Sequence, residues 1–205
     1  MTSATAIAGY TTHAPQLVAR YDAIPNEIWY APVRHLLPTN PARVIDVGAG
    51  TGRDARWLAA MGHKVTAVEP VPAFVAAGQA QGGARWITDA LPDLPHALAL
   101  DERFDLILLS AVWQHLDAGE RQAAAPVLRR LAATGATLLM ALRHGPASTD
   151  RPVWPIDVDA TAQLLAQAGF RETFRASAPS IQPANLAAGV RWTWLALAAQ
   201  PEAPG

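Results

Sequence analysis

The chain alternates between short apolar runs and stretches with helical spacing. Arg43 to Val47 is an apolar β run that ends in glycines, and Asp54 to Met61 then reads as a helix stopped by Gly62. Lys64 to Val68 is a second strand closed by Glu69-Pro70, followed by a helix over Ala73 to Ala80 that stops at Gly82-Gly83. Arg85 to Thr88 is a weaker third strand. Phe104 to Leu109 carries almost no polar residue, as expected of a parallel strand covered on both faces. Gly119 to Ala133 reads as a helix that Pro126 should kink or split, and Ala136 to Leu142 as a fifth strand. Val158 to Ala168 is a helix held between Asp157 and Gly169. Arg171 to Ala176 and Val190 to Leu197 close the chain as two strands with no helix between them. Strand–helix alternation followed by a strand pair predicts an α/β, doubly wound sheet whose last strand runs antiparallel.

Ahead of this body, Pro38-Thr39-Asn40-Pro41 is a breaker cluster, and Glu27 to Leu37 has helical spacing with Pro25 and Asn26 at its start. The expected organisation is an N-terminal helical segment over residues 1–41, a core over 42–199 and a tail over 200–205. With 205 residues and 51% of them hydrophobic, the chain has enough apolar content for one domain. Met1 to Gly9 is too short and uncharged for a secretory signal, and no run reaches the roughly 18 apolar residues of a membrane span. A cytoplasmic protein with no membrane association is expected. Sixteen Lys and Arg against 17 Asp and Glu give a net charge of −1, which offers no electrostatic footprint for nucleic acid. No cysteine is present, which excludes disulfides, thiolate zinc sites and a thiol nucleophile.

The segment Val44-Ile45-Asp46-Val47-Gly48-Ala49-Gly50-Thr51-Gly52 concentrates the chemistry. A buried strand runs into glycines that let the backbone approach a ligand, then into the partial positive charge of a helix N-terminus. A dinucleotide site wants G-x-G-x-x-G with its last glycine at 53, where this chain has Arg53. Glu69, at the end of the second strand, is placed to accept both hydroxyls of a ribose. Asp89 is placed to accept from an adenine amino group, with Ala90 or Leu91 against the ring.

At these residues the sequence resembles the class I S-adenosylmethionine-dependent methyltransferases. The carriers are the acid and G-x-G-x-G turn of Asp46 to Gly52, the ribose acid Glu69, the Asp89-Ala90 step, and the Phe104-Asp105 opening of the fourth strand through Ser110. The Gly52-Arg53-Asp54 continuation resembles the small-molecule branch with tellurite- and thiopurine-type enzymes. The resemblance implies a single-domain, Rossmann-like sheet of seven strands in the order 3-2-1-4-5-7-6, with S-adenosyl-L-methionine over the C-terminal ends of the first strands. It implies cofactor contacts from Asp46, Gly48, Ala49, Gly50, Gly52, Glu69, Pro70, Asp89, Ala90, Leu91 and Ser110. An N-terminal lid would add Tyr21 or Tyr30.

The acceptor would sit beyond the fourth and fifth strands, where the chain offers Trp113, His115, Arg143, His144 and a loop from Gly145 to Ile156 carrying Trp154. In-line methyl transfer needs alignment and desolvation, and a base only if the acceptor carries a proton. His115 is the first candidate and His144 the second. Trp113, Arg143 and Trp154 are the expected substrate contacts. The fourth strand lacks the Pro-Pro-aromatic sequence of base amino-group methylation, and the missing cysteine removes C5-pyrimidine and thiol-based arsenic methylation. Ser110 and Arg143-His144 stand where catechol-type enzymes hold magnesium ligands, so no metal is expected. The function expected is methyl transfer to N, O or S of a small molecule, by a monomer or homodimer. The alternatives are a catalytically silent S-adenosylmethionine-binding sensor or partner subunit, and more remotely a nicotinamide-dependent oxidoreductase.

Overall fold

A computed structural model describes residues 3–147 and 150–201. Its sheet has seven strands: β1 Arg43–Val47, β2 Lys64–Val68, β3 Arg85–Ile87, β4 Phe104–Ser110, β5 Ala132–His144, β6 Phe170–Pro179 and β7 Arg191–Ala199. Their order is β3-β2-β1-β4-β5-β7-β6, the order that the family resemblance implies. β1 pairs in parallel with β2 and β4, and β4 with β5, while β7 runs antiparallel to both β5 and β6.

Side-chain alternation along the central strands builds a core on each face of the sheet. Ile45, Val47, Ile107, Leu109, Leu138 and Met140 pack on one face under helices α6 (Ala118–Leu131) and α7 (Val158–Gln167). Val44, Leu106, Leu108 and Leu139 pack on the other, against α2 (Asn26–Trp29) and α3 (Arg53–Ala60) through Trp29 and Leu58. Burial on both faces is why these strands read as continuous apolar runs. Helix α6 is a single helix across Pro126, and its Asp117–Glu120 capping box closes the N-terminus: Asp117 Oδ1 accepts from the Glu120 N–H while Glu120 accepts from the Asp117 N–H.

Three features differ from the sequence expectation. The principal N-terminal helix is α1, Ser3–Asp22, whereas Glu27 to Leu37 is reduced to α2 and one 3-10 turn over Arg34–Leu36. Pro32 interrupts that stretch and removes a backbone donor. A short helix, α5 (Pro95–Leu98), follows α4 (Pro72–Gln81) and β3. The β6–β7 connection, expected to be helix-free, contains α8 (Pro183–Ala187). Of the expected tail, residues 202–205 lie outside the described residues.

Helix α1 crosses the C-terminal edge of the sheet and is tied at both ends. At its start the Ser3 N–H and Oγ–H donate to Glu120 Oε1 at 3.0 and 2.6 Å. At its end Asp22 accepts from Thr51 Oγ1 at 2.5 Å, Arg56 Nη2 at 3.0 Å and Gln81 Nε2 at 3.3 Å. Between the ties, Tyr10 and Tyr21 pack on Phe74 of α4 with ring centroids 6.3 and 6.0 Å away. Among the described residues no helix is long and apolar enough to cross a membrane.

Candidate active site

Beneath α1, at the C-terminal ends of β1, β2, β4 and β5, lies a cavity of about 500 Å³. Its floor is the glycine turn after β1. Gly48, Gly50 and Gly52 all take positive φ, at 75°, 55° and 75°, which side chains rarely adopt. The N–H groups of Gly48 and Ala49 both donate to Val68 O, folding the turn back toward β2. A Cβ at Gly48 would strike Val112, whereas one at Gly50 would meet nothing within 4 Å. Gly52 does not line the cavity; a Cβ there would strike the Trp86 ring, so its requirement is packing beneath the turn. That corrects the expectation of a cofactor contact from Gly52.

Three carboxylates gather at this end. Glu69 is 5% exposed; its Oε2 accepts from Gly50 N–H at 2.8 Å and its Oε1 from Val71 N–H at 2.9 Å. Burial pushes its carboxyl up to about 7, against the pull of those two N–H groups. Asp46 is 1% exposed, and its Oδ2 has no hydrogen-bond partner. Burial raises the Asp46 carboxyl well above the usual range, with the Asp54 and Glu69 charges adding to the effect and Arg53 opposing it. Asp54 is paired with Arg53 at 2.5 Å and accepts from the Tyr30 hydroxyl at 2.7 Å. A buried cluster of acids holding one unpartnered oxygen is matched to a cationic or multiply donating ligand.

Asp89 has a structural task as well as a place at the cavity. Its Oδ2 accepts from the N–H groups of His96 and Ala97 at 2.8 and 2.9 Å, closing the start of α5. Its Oδ1 accepts from Ala90 N–H at 3.0 Å. Ala90, Leu91 and Pro70 line the cavity beside it.

Toward β4 and β5 the lining changes character. Ser110 Oγ accepts from Trp29 Nε1–H at 3.3 Å, and both residues face the cavity. Ala111 follows with φ 64°, a strained backbone for a residue with a Cβ. His115 Nδ1 lies 2.9 Å from Pro152 O, and because a carbonyl only accepts, this nitrogen carries the proton. Its Nε2 is therefore the acceptor and takes the Tyr10 hydroxyl at 3.0 Å, with the rings edge to face at 5.4 Å. Burial lowers the His115 imidazole below its ordinary value, Arg143 and Arg151 lowering it further while the Pro152 carbonyl raises it. Burial likewise pushes the Tyr10 phenol up. Arg143, Arg151 and Tyr21 complete this wall.

Four other expected site residues lie elsewhere. Tyr30 is wholly buried, stacked on Trp57 at 5.0 Å and bonded to Asp54. Trp113 is wholly buried in the core under α6, because the 3-10 turn Trp113–His115 aims successive side chains about 120° apart, so Gln114 and His115 line the cavity and Trp113 does not. His144, next to Arg143 on β5, points to the opposite face and bonds Thr193 Oγ1 at 2.9 Å. Trp154 does not line the cavity; its backbone N–H donates to Gln114 O at 2.7 Å, anchoring the loop whose Arg151 and Val153 do. The sequence reading missed Tyr10, Gln114, Arg151 and the Arg53–Asp54 pair. Only the last carried a signal, as an adjacent cation and acid opening the helix after the glycine turn.

Residues 44–135 match a family model described as a methyltransferase domain. No curated protein matches the chain. Among solved structures, the fold is similar to that of the Burkholderia thailandensis 1,6-didemethyltoxoflavin-N1-methyltransferase, determined with 1,6-didemethyltoxoflavin and S-adenosylhomocysteine. That likeness has a TM-score of 0.76 at 18% identity and covers 97% of this chain and 88% of that one. A TehB-like S-adenosylmethionine-dependent methyltransferase from Corynebacterium glutamicum gives 0.69 at 16% identity over 93% and 99% of the two chains. The magnesium protoporphyrin IX methyltransferase of Synechocystis, with S-adenosylmethionine bound, gives 0.61 at 16% identity over 94% and 81%.

Proposed function

We propose that the chain is a class I S-adenosylmethionine-dependent methyltransferase, which the methyltransferase-domain match over residues 44–135 supports, and that it methylates N, O or S of a small molecule. The observation that carries this reading is the single cavity in which the buried acids Asp46 and Glu69, the glycine turn and His115 meet. Its roofing by α1, tied down at both ends, favours an acceptor small enough to be enclosed.

The donor set fits the cofactor. Glu69, already holding two backbone N–H groups, has lone pairs left for the two hydroxyls of a ribose. The unpartnered Asp46 Oδ2 suits the amino group of the methionine portion. Gly48 and Gly50 let backbone lie against that portion, and Ala90 and Leu91 are placed for the adenine. When bound, the cofactor supplies a methyl carbon on a sulfonium, and the electron pair of the breaking C–S bond stays on sulfur as a neutral thioether.

The protein's own part is alignment and proton handling. The Pro152 carbonyl holds the His115 tautomer so that Nε2 keeps its lone pair toward Tyr10. Tyr10 accepts the proton of an N–H, O–H or S–H acceptor as it passes its own to His115 Nε2, so the imidazole ends protonated and the phenol unchanged. Burial keeps that imidazole neutral near pH 7, the form the step requires. The test is calorimetry with S-adenosylhomocysteine on the wild type and on Asp46→Ala. One site per chain, weakened roughly tenfold or more in the variant, is expected; equal affinity in both would contradict the reading.

A further inference from the structure

The acids that line the cavity, Asp46, Asp54, Glu69 and Asp89, all lie toward β1, β2 and β3, and Arg53 and Arg20 also line it. Asp46 lies within β1, Glu69 follows β2, and Asp54 stands in the first turn of α3, paired with Arg53. Arg143 is the penultimate residue of β5, separated from β1 by the whole of β4, and Arg151 comes from the loop after it. His115 lies with the arginines, and both of their charges reach it. We propose that the acceptor carries a carboxylate, gripped by Arg143 and Arg151 at the β5 end of the cavity. This inference rests on reading the cavity as the methyl-transfer site.

Arg143 has no acidic partner among the described residues. Its guanidinium is partly buried and donates only to carbonyl oxygens, Pro146 O at 2.9 Å and Gly145 O at 3.4 Å. Burial acts most strongly against its charge, the Tyr10 and Tyr21 phenols favour it, and the Arg151 charge opposes it to a smaller extent, so the cation sits partly desolvated with no acid beside it among the described residues. Arg151 is held by a different device: its Cζ sits 5.3 Å from the Tyr10 ring centroid, a cation–π contact that fixes the guanidinium beside the Tyr10 hydroxyl.

A carboxylate received at Arg143 would have the Arg151 guanidinium, whose charge already reaches Arg143, on the same wall of the cavity. Guanidinium edges match a carboxylate in geometry, which is what distinguishes this pair from a pair of lysines. The arrangement also places negative charge on the acceptor opposite a donor whose own positive charge must fade during transfer. The surrounding Tyr10, Tyr21 and Val112 give the remainder of such an acceptor an apolar and aromatic bed.

The experiment uses the full chain saturated with S-adenosylhomocysteine, titrated calorimetrically with benzoate and with its neutral isostere benzamide. Benzoate is expected to bind roughly tenfold to a hundredfold more tightly. Arg143→Gln and Arg151→Gln are each expected to erase that preference while S-adenosylhomocysteine affinity stays within about twofold. Equal binding of the two probes, or no benzoate binding up to about 10 mM, overturns the proposal. So does a loss of S-adenosylhomocysteine affinity in Arg143→Gln, which would assign that guanidinium to the cofactor. Failure of the wild type to bind S-adenosylhomocysteine would instead overturn the methyltransferase reading, and the proposal with it.

Discussion

With the ribose on Glu69, as proposed, cofactor binding should depend on pH. In the free protein its carboxyl is held near 7 by burial, so at about pH 6 only about a tenth of the molecules carry the charged form. Ribose hydroxyls donate hydrogen bonds to a carboxylate and stabilise its charged form, so binding returns the group toward the ordinary value of 4.5. Nucleoside affinity should then rise about tenfold between about pH 6 and about pH 8, with a proton released on binding at the lower pH. The ligand for this measurement is 5′-methylthioadenosine, which keeps the ribose and adenine but has no amino acid to titrate. Calorimetry in two buffers of different ionisation enthalpy counts the proton directly. Glu69→Gln should remove the pH dependence and cost about 1.5–3 kcal/mol of binding at about pH 8.

The free protein carries the opposite signature. Between 4.5 and about 7 the folded state keeps a proton that the unfolded state has lost, so stability falls as pH rises through that window. The total is about 3 kcal/mol for this one group. Affinity that stays flat from about pH 6 to about pH 8, with no buffer-dependent enthalpy, would refute the account of Glu69.

Three further outcomes follow from the same geometry. Gly48→Ala should reduce S-adenosylhomocysteine affinity more than Gly50→Ala, because both positions have positive φ but only the first meets Val112; paired titrations decide this. Trp113→Ala should cost about 3–5 kcal/mol in urea unfolding while leaving cofactor affinity unchanged under native conditions, as its ring lies wholly in the core. For an acceptor that carries a proton, turnover should rise with pH and level off below 6.5, the ordinary histidine value, because His115 is lowered from it. His115→Ala should abolish that limb and Tyr10→Phe should slow the plateau; an unchanged profile in His115→Ala would remove the histidine from the step.

The parts of the fold legible in the sequence were those governed by local pattern. β1 and β2 were placed to the residue because apolar runs there are bounded by glycines and by Glu69-Pro70. The acids and glycines sit in that same local frame, which is why Asp46, Gly48, Gly50 and Glu69 line one cavity. Helix α1 was hidden because it buries mainly small residues, Ala6, Gly9 and Ala14, with Leu17, and so lacks a broad apolar stripe. Tyr10 was hidden with it. At the strand ends the errors are rotational: Trp113 against His115 in a 3-10 turn, and His144 against Arg143 across a strand, differ in direction and not in position. Tyr30 and Trp57 stack through a long-range contact that no local pattern announces.

The central claim is methyl transfer from the cofactor to a small molecule, and isotope transfer tests it most directly. The protein is incubated with S-adenosylmethionine labelled in its methyl group and with a low-molecular-mass extract rich in carboxylates. The account predicts label in a small-molecule product, formed one for one with S-adenosylhomocysteine and lost in Asp46→Ala. Label found only in protein or nucleic acid when these are supplied, or S-adenosylhomocysteine formed with no labelled product, would contradict it.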